Sequence, residues 1–202
     1  GSALGRGCGP LLISREELST AALKNKRIAI PGRYTTAALL FRMFSPASND
    51  LVEMRFEQII DAVASGKVDA GVIIHESRFT YRQSGLVCLQ DLGQWWEDSF
   101  DAPLPLGCIA VKRELGPLLR EEAGRRIEAS LQWARSNPNA CYPYIKHHAQ
   151  ETDDQVIDQH IELYVNDFSV DLGEEGRRAV DMFFELGRQR GVLPLWSGSV
   201  FC

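Results

Sequence analysis

The sequence lacks several features that would place it in a specialised class of protein. No apolar stretch approaches the roughly 20 residues that a membrane-spanning helix needs, which argues against a membrane protein. Lysine and arginine form no run longer than two or three residues, and the net charge is −5. We therefore expect neither nucleic acid nor an anionic membrane surface as a partner.

Cysteine is scarce and scattered. The five cysteines form no C-x-x-C pair; they are Cys8, Cys88, Cys108, Cys141 and Cys202. An odd and dispersed set argues against a disulfide framework and a zinc site, and it favours the reducing environment of the cytoplasm. No other group of His, Cys, Asp and Glu has the spacing of metal ligands, and no G-x-S-x-G nucleophile motif is present. We therefore predict a protein without a bound metal ion.

What is present is an ordinary globular composition with an alternating pattern. The chain has 202 residues, 45% of them hydrophobic and 24% charged, which suffices for one large domain or two small lobes. Three apolar segments predict strands over Arg27–Ile30, Leu51–Phe56 and Ala70–Ile74. Helical patterns lie between them, so we predict an α/β fold with a parallel sheet and right-handed crossovers.

Other elements are predicted from shorter patterns. Further apolar runs predict strands over Leu11–Ile13, Leu86–Leu89 and Cys108–Val111, and the chain beyond them has helical spacing. Capping boxes predict two helix starts, at Ser14 with Glu17 and at Thr152 with Gln155. No strand is predicted in the glycine-rich segment 1–10.

The third strand of the alternating pattern ends in a candidate functional histidine. Ala70–Ile74 has the small and branched residues of a strand buried on both faces, and His75 follows it directly. Ligands of open α/β sheets bind beyond the carboxyl ends of the strands, where His75 would lie. The alternative is a histidine that only bonds a neighbouring carbonyl group. The other histidines, His147, His148 and His160, lie in predicted helices and are read as surface or packing residues.

A second candidate site is the start of the first long helix. Pro31 and Gly32 stop the preceding strand, and Thr35 or Thr36 can cap a helix that is apolar on nearly every side. The first turn of such a helix carries free N–H groups, which together with the hydroxyls suit an anion. The alternative is simple capping of a core helix.

Five sequence blocks in this order resemble the 1,4-dihydroxy-6-naphthoate synthases of the futalosine route to menaquinone. The blocks are Ala-Leu-Gly-Arg-Gly-x-Gly-Pro (3–10), Pro-Gly-Arg-x-Thr-Thr-Ala (31–37), Ile-Ile-His-Glu-Ser-Arg-Phe-Thr-Tyr (73–81), Leu-Pro-Leu-Gly (104–107) and Tyr-Val-Asn-x-Phe-Ser (164–169). Each block alone is weak evidence, but five in one order over most of the chain are specific.

The resemblance implies a fold with two α/β lobes, like that of type II periplasmic binding proteins. Residues 1–18 and 107–202 would form the first lobe, and residues 19–106 would form an inserted parallel-sheet lobe with the His75 loop. Members of the family carry a further segment before the glycine-rich block, so the first lobe is expected to be incomplete at its N-terminus. The family also keeps a continuous helix at Pro143, where proline should kink or restart it.

The resemblance also implies a reaction. The family converts cyclic dehypoxanthinylfutalosine to 1,4-dihydroxy-6-naphthoate and releases dihydroxyacetone, without a metal or an organic cofactor. Its histidine taken as the general base corresponds to His75, and the two residues that hold an acid group correspond to Thr36 and Ala37. The expected partner is thus a small-molecule carboxylate, with a homodimer as a further expectation.

Three other residues are expected to bind substrate in the same pocket: Thr35, Ser77 and Arg78. Arg33 and Arg78 could add positive charge there, or could equally be surface side chains. Two other interpretations stay open, a non-catalytic solute-binding or sensory module of the same fold and the chorismate dehydratase of the same pathway. A binding module would not need His75, and the His-Glu-Ser-Arg-Phe-Thr-Tyr block argues against the dehydratase.

Overall fold

The computed structural model describes residues 1–45, 50–149, 153–195 and 198–201. The strands are β1 (Ser2–Gly5), β2 (Leu11–Ser14), β3 (Arg27–Ile30), β4 (Asp50–Glu53), β5 (Ala70–Ile73), β6 (Val87–Asp91) and β7 (Leu104–Cys108). The helices are α1 (Thr36–Phe44), α2 (Ile59–Ala64), α3 (Ser77–Thr80), α4 (Leu92–Phe100), α5 (Gly116–Ser136), α6 (Pro138–His148), α7 (Asp154–Tyr164), α8 (Asp167–Val170) and α9 (Gly173–Gln189). From β3 to α4, strands and α-helices alternate, which confirms the predicted α/β class.

The main sheet is mixed, which corrects the prediction of a parallel sheet. Its strand order is β4-β3-β5-β2-β6, with β3 parallel to β4 and β5. Strand β2 runs antiparallel to both of its neighbours, β5 and β6. The β3–α1–β4–α2–β5 series was predicted correctly because its connecting helices impose parallel strands. The sequence predicted no direction for β2, because a short run that is buried throughout packs equally well in either direction.

The two faces of this sheet build two cores. Alternate side chains of a strand point to opposite faces, so Leu12 and Ile28 join one core while Leu11 and Ile13 join the other. The first core contains buried side chains of α1, α4 and α9, and the second contains those of α2. Helix α2 lies very close to β5, since a Cβ built on Gly71 would come within 2.5 Å of a methyl carbon of Ile59. Strand β5 is therefore covered on both faces, as its composition indicates.

A small second sheet pairs the start of the chain with the segment that follows α4. Strands β1 and β7 are antiparallel and align Ser2 with Cys108 and Gly5 with Leu104. Helices α7 and α8 contact β1, and α9 contacts β7. This sheet was missed in the sequence because a glycine-rich β1 has no alternating pattern of its own. It forms only because β7 lies beside it.

Three local predictions are wrong. Ser14 does not cap a helix: it is the fully buried end of β2, and the first helical turn is a 3₁₀ turn at Thr20–Leu23 capped by Ser19. The predicted strand over Cys108–Val111 is absent from the described residues, since β7 ends at Cys108. Strand β4 ends at Glu53, well before Phe56.

The C-terminal helices agree with the predicted pattern. Phe183 of α9 is buried in the first core, and Gly191, at a φ of 67°, follows the helix end. One expectation is corrected: helix α6 continues through Pro143, so the proline does not restart the helix. Asp153 caps α7 by accepting hydrogen bonds from the first-turn N–H groups, whereas Thr152 lies outside the described residues. None of the helices in the described ranges is long and apolar enough to cross a membrane.

The division into two lobes at residues 18 and 107 stays a prediction. The position of strand β2 bears on the first boundary, at residue 18. Strand β2 belongs to the predicted first-lobe segment 1–18, yet its hydrogen bonds place it in the same sheet as β3, β4, β5 and β6. The start of the chain therefore contributes a strand to the predicted inserted lobe before the predicted boundary.

Candidate functional site

A cavity of about 520 Å³ opens where the end of β5, the start of α1 and helix α7 meet. Its wall combines small and apolar residues with two histidines and several hydroxyl groups. The lining residues are Ala3, Cys8, Pro10, Tyr34, Thr35, Thr36, Ala37, Ile74, His75, Leu106, Gly107, His160, Tyr164 and Val165. Four residues predicted to form the site therefore line one cavity: Thr35, Thr36, Ala37 and His75.

The start of α1 forms one side of the cavity. Thr35 caps the helix: its hydroxyl accepts a hydrogen bond from the Ala38 N–H at 3.2 Å and donates to the Gly32 carbonyl at 2.8 Å. The Thr36 hydroxyl donates to the Leu106 carbonyl at 2.9 Å, which ties the helix start to β7. The N–H groups of the first turn have no intrahelical acceptors and point out of the helix end. Partial positive charge therefore faces the cavity.

His75 lies opposite, just beyond the end of β5. Its φ is 55°, a left-handed conformation that few residues other than glycine adopt, although histidine tolerates it better than most. The Phe56 ring packs edge-on against the imidazole with the ring centroids 5.1 Å apart. Backbone strain of this kind persists only where the surrounding structure holds the residue. Strand β5 thus places the His75 backbone at the cavity, and Phe56 packs against one side of its exposed ring.

His160 is a site residue that the sequence analysis read as a packing residue. It lies on α7, and its ring centroid is 5.8 Å from that of His75. Its Nε2 atom is buried without a hydrogen-bond partner. Burial is the main cause that lowers the pKa of His160, with the nearby His75 adding to it and Glu76 opposing it. One signal was available: His160 and Tyr164 are four residues apart, so on a helix they share a face, and Tyr164 belongs to a block of the resemblance.

Two further ionisable side chains of the cavity are held in their neutral forms. Cys8 is buried, and desolvation with the Glu97 charge raises the pKa of its thiol to about 11. Burial raises the pKa of the Tyr164 hydroxyl to about 12, with a smaller contribution from Cys8. Neither group is a base at neutral pH. The imidazoles are therefore the groups of the described cavity wall whose usual pKa lies near neutrality.

The structure places Ser77 and Arg78 outside this cavity wall. Ser77 is buried at the start of α3. Arg78 forms a 2.6 Å ion pair with Asp91 and donates a 2.7 Å hydrogen bond to the Gly9 carbonyl. Asp91 in turn caps α4 by accepting from the N–H of Gly93 at 2.9 Å. Arg78 thus joins the His75 loop, the glycine-rich segment and α4.

Arg33 also lies apart from the cavity. Its Nε donates to a Glu53 carboxylate oxygen at 3.1 Å, and the two residues line a separate cavity of about 350 Å³. Asn166, from the last block of the resemblance, donates to the Leu4 carbonyl at 2.8 Å and caps α8. Arg33 and Asn166 therefore support the architecture around the site and do not line it.

One group of side chains has the donor types of a metal site. The potential ligand atoms of His75, Glu76 and His160 all lie within 4.8 Å of one another. Sequence spacing gave no sign of this group, because its third member comes from a helix far along the chain.

A family model described as "Menaquinone biosynthesis" matches residues 1–189. Two curated proteins named 1,4-dihydroxy-6-naphthoate synthase are similar to the chain. The one from Thermus thermophilus is 46% identical over 192 residues, which cover 95% of this chain and 70% of that protein. The one from Streptomyces coelicolor is 43% identical over 199 residues, which cover 96% of this chain and 70% of that protein.

Solved structures agree on the fold. A protein of Archaeoglobus fulgidus superposes with a TM-score of 0.89 at 36% identity, covering 96% of this chain and 72% of the other. A periplasmic sulfonate-binding protein of Methylobacillus flagellatus superposes with a TM-score of 0.58 at 14% identity, covering 95% and 62%. The second likeness confirms the periplasmic-binding-protein-like fold and, at so low an identity, nothing more.

Proposed function

Because the chain belongs to the menaquinone biosynthesis family, we propose that it is a 1,4-dihydroxy-6-naphthoate synthase, a lyase that converts cyclic dehypoxanthinylfutalosine to 1,4-dihydroxy-6-naphthoate and releases dihydroxyacetone. The 46% and 43% identity to two proteins of that name supports the activity. The observation that carries the proposal is structural: the strand-end His75 and the first turn of α1 line one cavity. The proposed base and the proposed anion site thus share one cavity.

The first turn of α1 would hold the carboxylate of the substrate. Thr36 and Ala37 both line the cavity, and a helix N-terminus stabilises an anion without a lysine or arginine. The Thr35 hydroxyl already satisfies the Ala38 N–H, so the N–H groups of Thr36 and Ala37 are the ones left for a ligand. The aromatic part of the substrate would then lie against the apolar wall.

His75 would act as the general base that accepts a proton from the bound substrate. Its imidazole needs little tuning to work near neutral pH. His160 lies beside it and offers a second nitrogen within the same cavity. Two neighbouring imidazoles would therefore be available to accept a proton or to hydrogen-bond a substrate hydroxyl. The proposed reaction uses no resident metal or organic cofactor.

The experiment compares turnover of the cyclic substrate by the full-length protein and two variants. Loss of a general base lowers turnover by about 10²- to 10⁴-fold, and we expect this of His75→Gln. His147→Gln, at an exposed position late in α6, is the matched control and should keep full activity. Product formation is followed by chromatography, and substrate affinity by calorimetry.

Two results would contradict the proposal in different ways. If His75→Gln turns over at the wild-type rate, His75 is not the base. If the wild-type protein binds the substrate without converting it, the chain is a binding module of the same fold. Cytoplasmic localisation and a homodimer extend the proposal; size-exclusion chromatography with light scattering tests the dimer.

A further inference from the structure

Three side chains beside this cavity lie close together. His75 and Glu76 follow β5, and His160 approaches from α7. Their potential ligand atoms lie within 4.8 Å of one another. His160 lines both the cavity with His75 and a neighbouring cavity of about 370 Å³ with Glu76. The three side chains therefore meet in the wall between the two cavities.

The donor set is that of a zinc site. Two imidazole nitrogens and one carboxylate oxygen are common ligands of Zn²⁺, and three protein ligands leave one position open. With bonds of roughly 2.0–2.1 Å, tetrahedral ligand atoms lie about 3.3 Å apart. The observed separations would have to contract, and His75, which is exposed, has the freedom to turn its ring.

His160 separates this group from a chance cluster of surface acids. Its Nε2 is buried and has no hydrogen-bond partner, so the lone pair or the N–H group of this atom is unsatisfied in the protein interior. Such a group costs free energy unless something binds it. Helix α7 holds His160 in place through the buried Ile157.

We propose that His75, Glu76 and His160 bind one zinc ion, with the open coordination position facing the 520 Å³ cavity. The zinc ion binds the imidazole of His75, which the proposed reaction needs as a base. Zinc and turnover therefore exclude one another, and zinc inhibits the enzyme. The inhibition rests on the proposed function, whereas the binding site does not.

The binding test titrates the reduced full-length protein with Zn²⁺ in competition with a chromogenic zinc indicator. One ion should bind per chain. Loss of groups that merely orient a metal ligand weakens binding by about 10- to 100-fold, so His160→Gln and Glu76→Gln should each weaken it by at least about tenfold. His147→Gln is the control. The rings of His147 and His148 have their centroids 4.9 Å apart on α6 and are the obvious adventitious site, but only His148 lines the 370 Å³ cavity with Glu76 and His160.

Cobalt reports which atoms bind. Co²⁺ in the proposed site should give the visible absorption of a tetrahedral nitrogen and oxygen site, without the near-ultraviolet band of a cobalt–thiolate bond. A thiolate band would move the site to a cysteine such as Cys8 and overturn the proposal. Circular dichroism of each variant shows whether it is folded, and Glu76→Gln supplies a second test should His160→Gln unfold.

The outcomes separate the two proposals. Unchanged zinc affinity in both His160→Gln and Glu76→Gln overturns the zinc site, as does loss of binding in the His147→Gln control. Turnover that persists in wild-type protein saturated with zinc overturns the inhibition. A metal-free wild-type protein without turnover overturns the proposed function, and the titration still decides the zinc site.

Discussion

Replacing Arg78 by methionine distinguishes a structural from a substrate-binding role for this residue. Methionine keeps much of the length of the side chain and removes the charge. Arg78 donates to Asp91 at 2.6 Å and to the Gly9 carbonyl at 2.7 Å, and its side chain is only 17% exposed. The expected result is therefore a loss of stability and not a loss of substrate affinity.

The magnitude follows from those two contacts. A hydrogen bond to a charged group contributes about 1.5–3 kcal/mol. Water partly reaches the side chains of Arg78 and Asp91, which lowers the total contribution of the two hydrogen bonds. We expect Arg78→Met to lower the free energy of unfolding by about 2–3 kcal/mol. Arg33→Met is the matched control: its side chain is 67% exposed in the pair with Glu53, so about 0–1 kcal/mol should be lost.

The assay is urea unfolding followed by steady-state kinetics on the folded variant. With a slope of about 1–3 kcal/mol per molar urea, the Arg78→Met midpoint should fall by roughly 1 M while the Arg33→Met midpoint barely moves. A double-mutant cycle with Asp91→Asn should give a coupling of at least about 0.5 kcal/mol, since the two residues are in contact. An unchanged midpoint together with a KM raised tenfold or more would refute the structural role and restore Arg78 as a substrate-binding residue.

Three further predictions concern β5, the cavity wall and the helix start. Gly71→Ala should destabilise the protein by about 1–3 kcal/mol, measured by thermal unfolding, because the new methyl group would lie within 2.5 Å of the Ile59 side chain and α2 would have to shift. The pKa of Cys8 is raised from 9.0 to about 11. The neutral thiol therefore contributes a stability that is complete below about pH 9 and is lost as the pH rises to about 11. Unfolding curves at pH 8 to 11 should show this loss of stability in the wild-type protein and not in Cys8→Ala. Crystals soaked in benzoate should show the carboxylate at the first turn of α1. Thr36→Pro, which removes one of the two N–H groups at a helix position that accepts proline, should weaken benzoate binding by about tenfold, the worth of one charge-assisted hydrogen bond. Benzoate found only on surface arginines would contradict the anion site.

The local elements of the site could be predicted because each is encoded within a short stretch of chain. The buried run Ala70–Ile73 makes a strand wherever it lies, and a polar segment after it must begin at the strand's end. Thr35 caps α1 because its side chain bonds an N–H three residues further on. The proposed base and the proposed anion site could therefore be named before their relative position was known.

Only the tertiary structure decided how distant segments meet. His160 appears in the sequence as an ordinary helical residue, and only the packing of α7 beside the end of β5 brings its ring next to His75. Arg78 reads as a free charge beside the candidate base until Asp91 and Gly9 are seen to hold it. The direction of β2 depends likewise on its neighbours in the sheet. Local patterns are set by bonds within a few residues, whereas these contacts are set by how whole elements pack, which no short stretch of sequence contains.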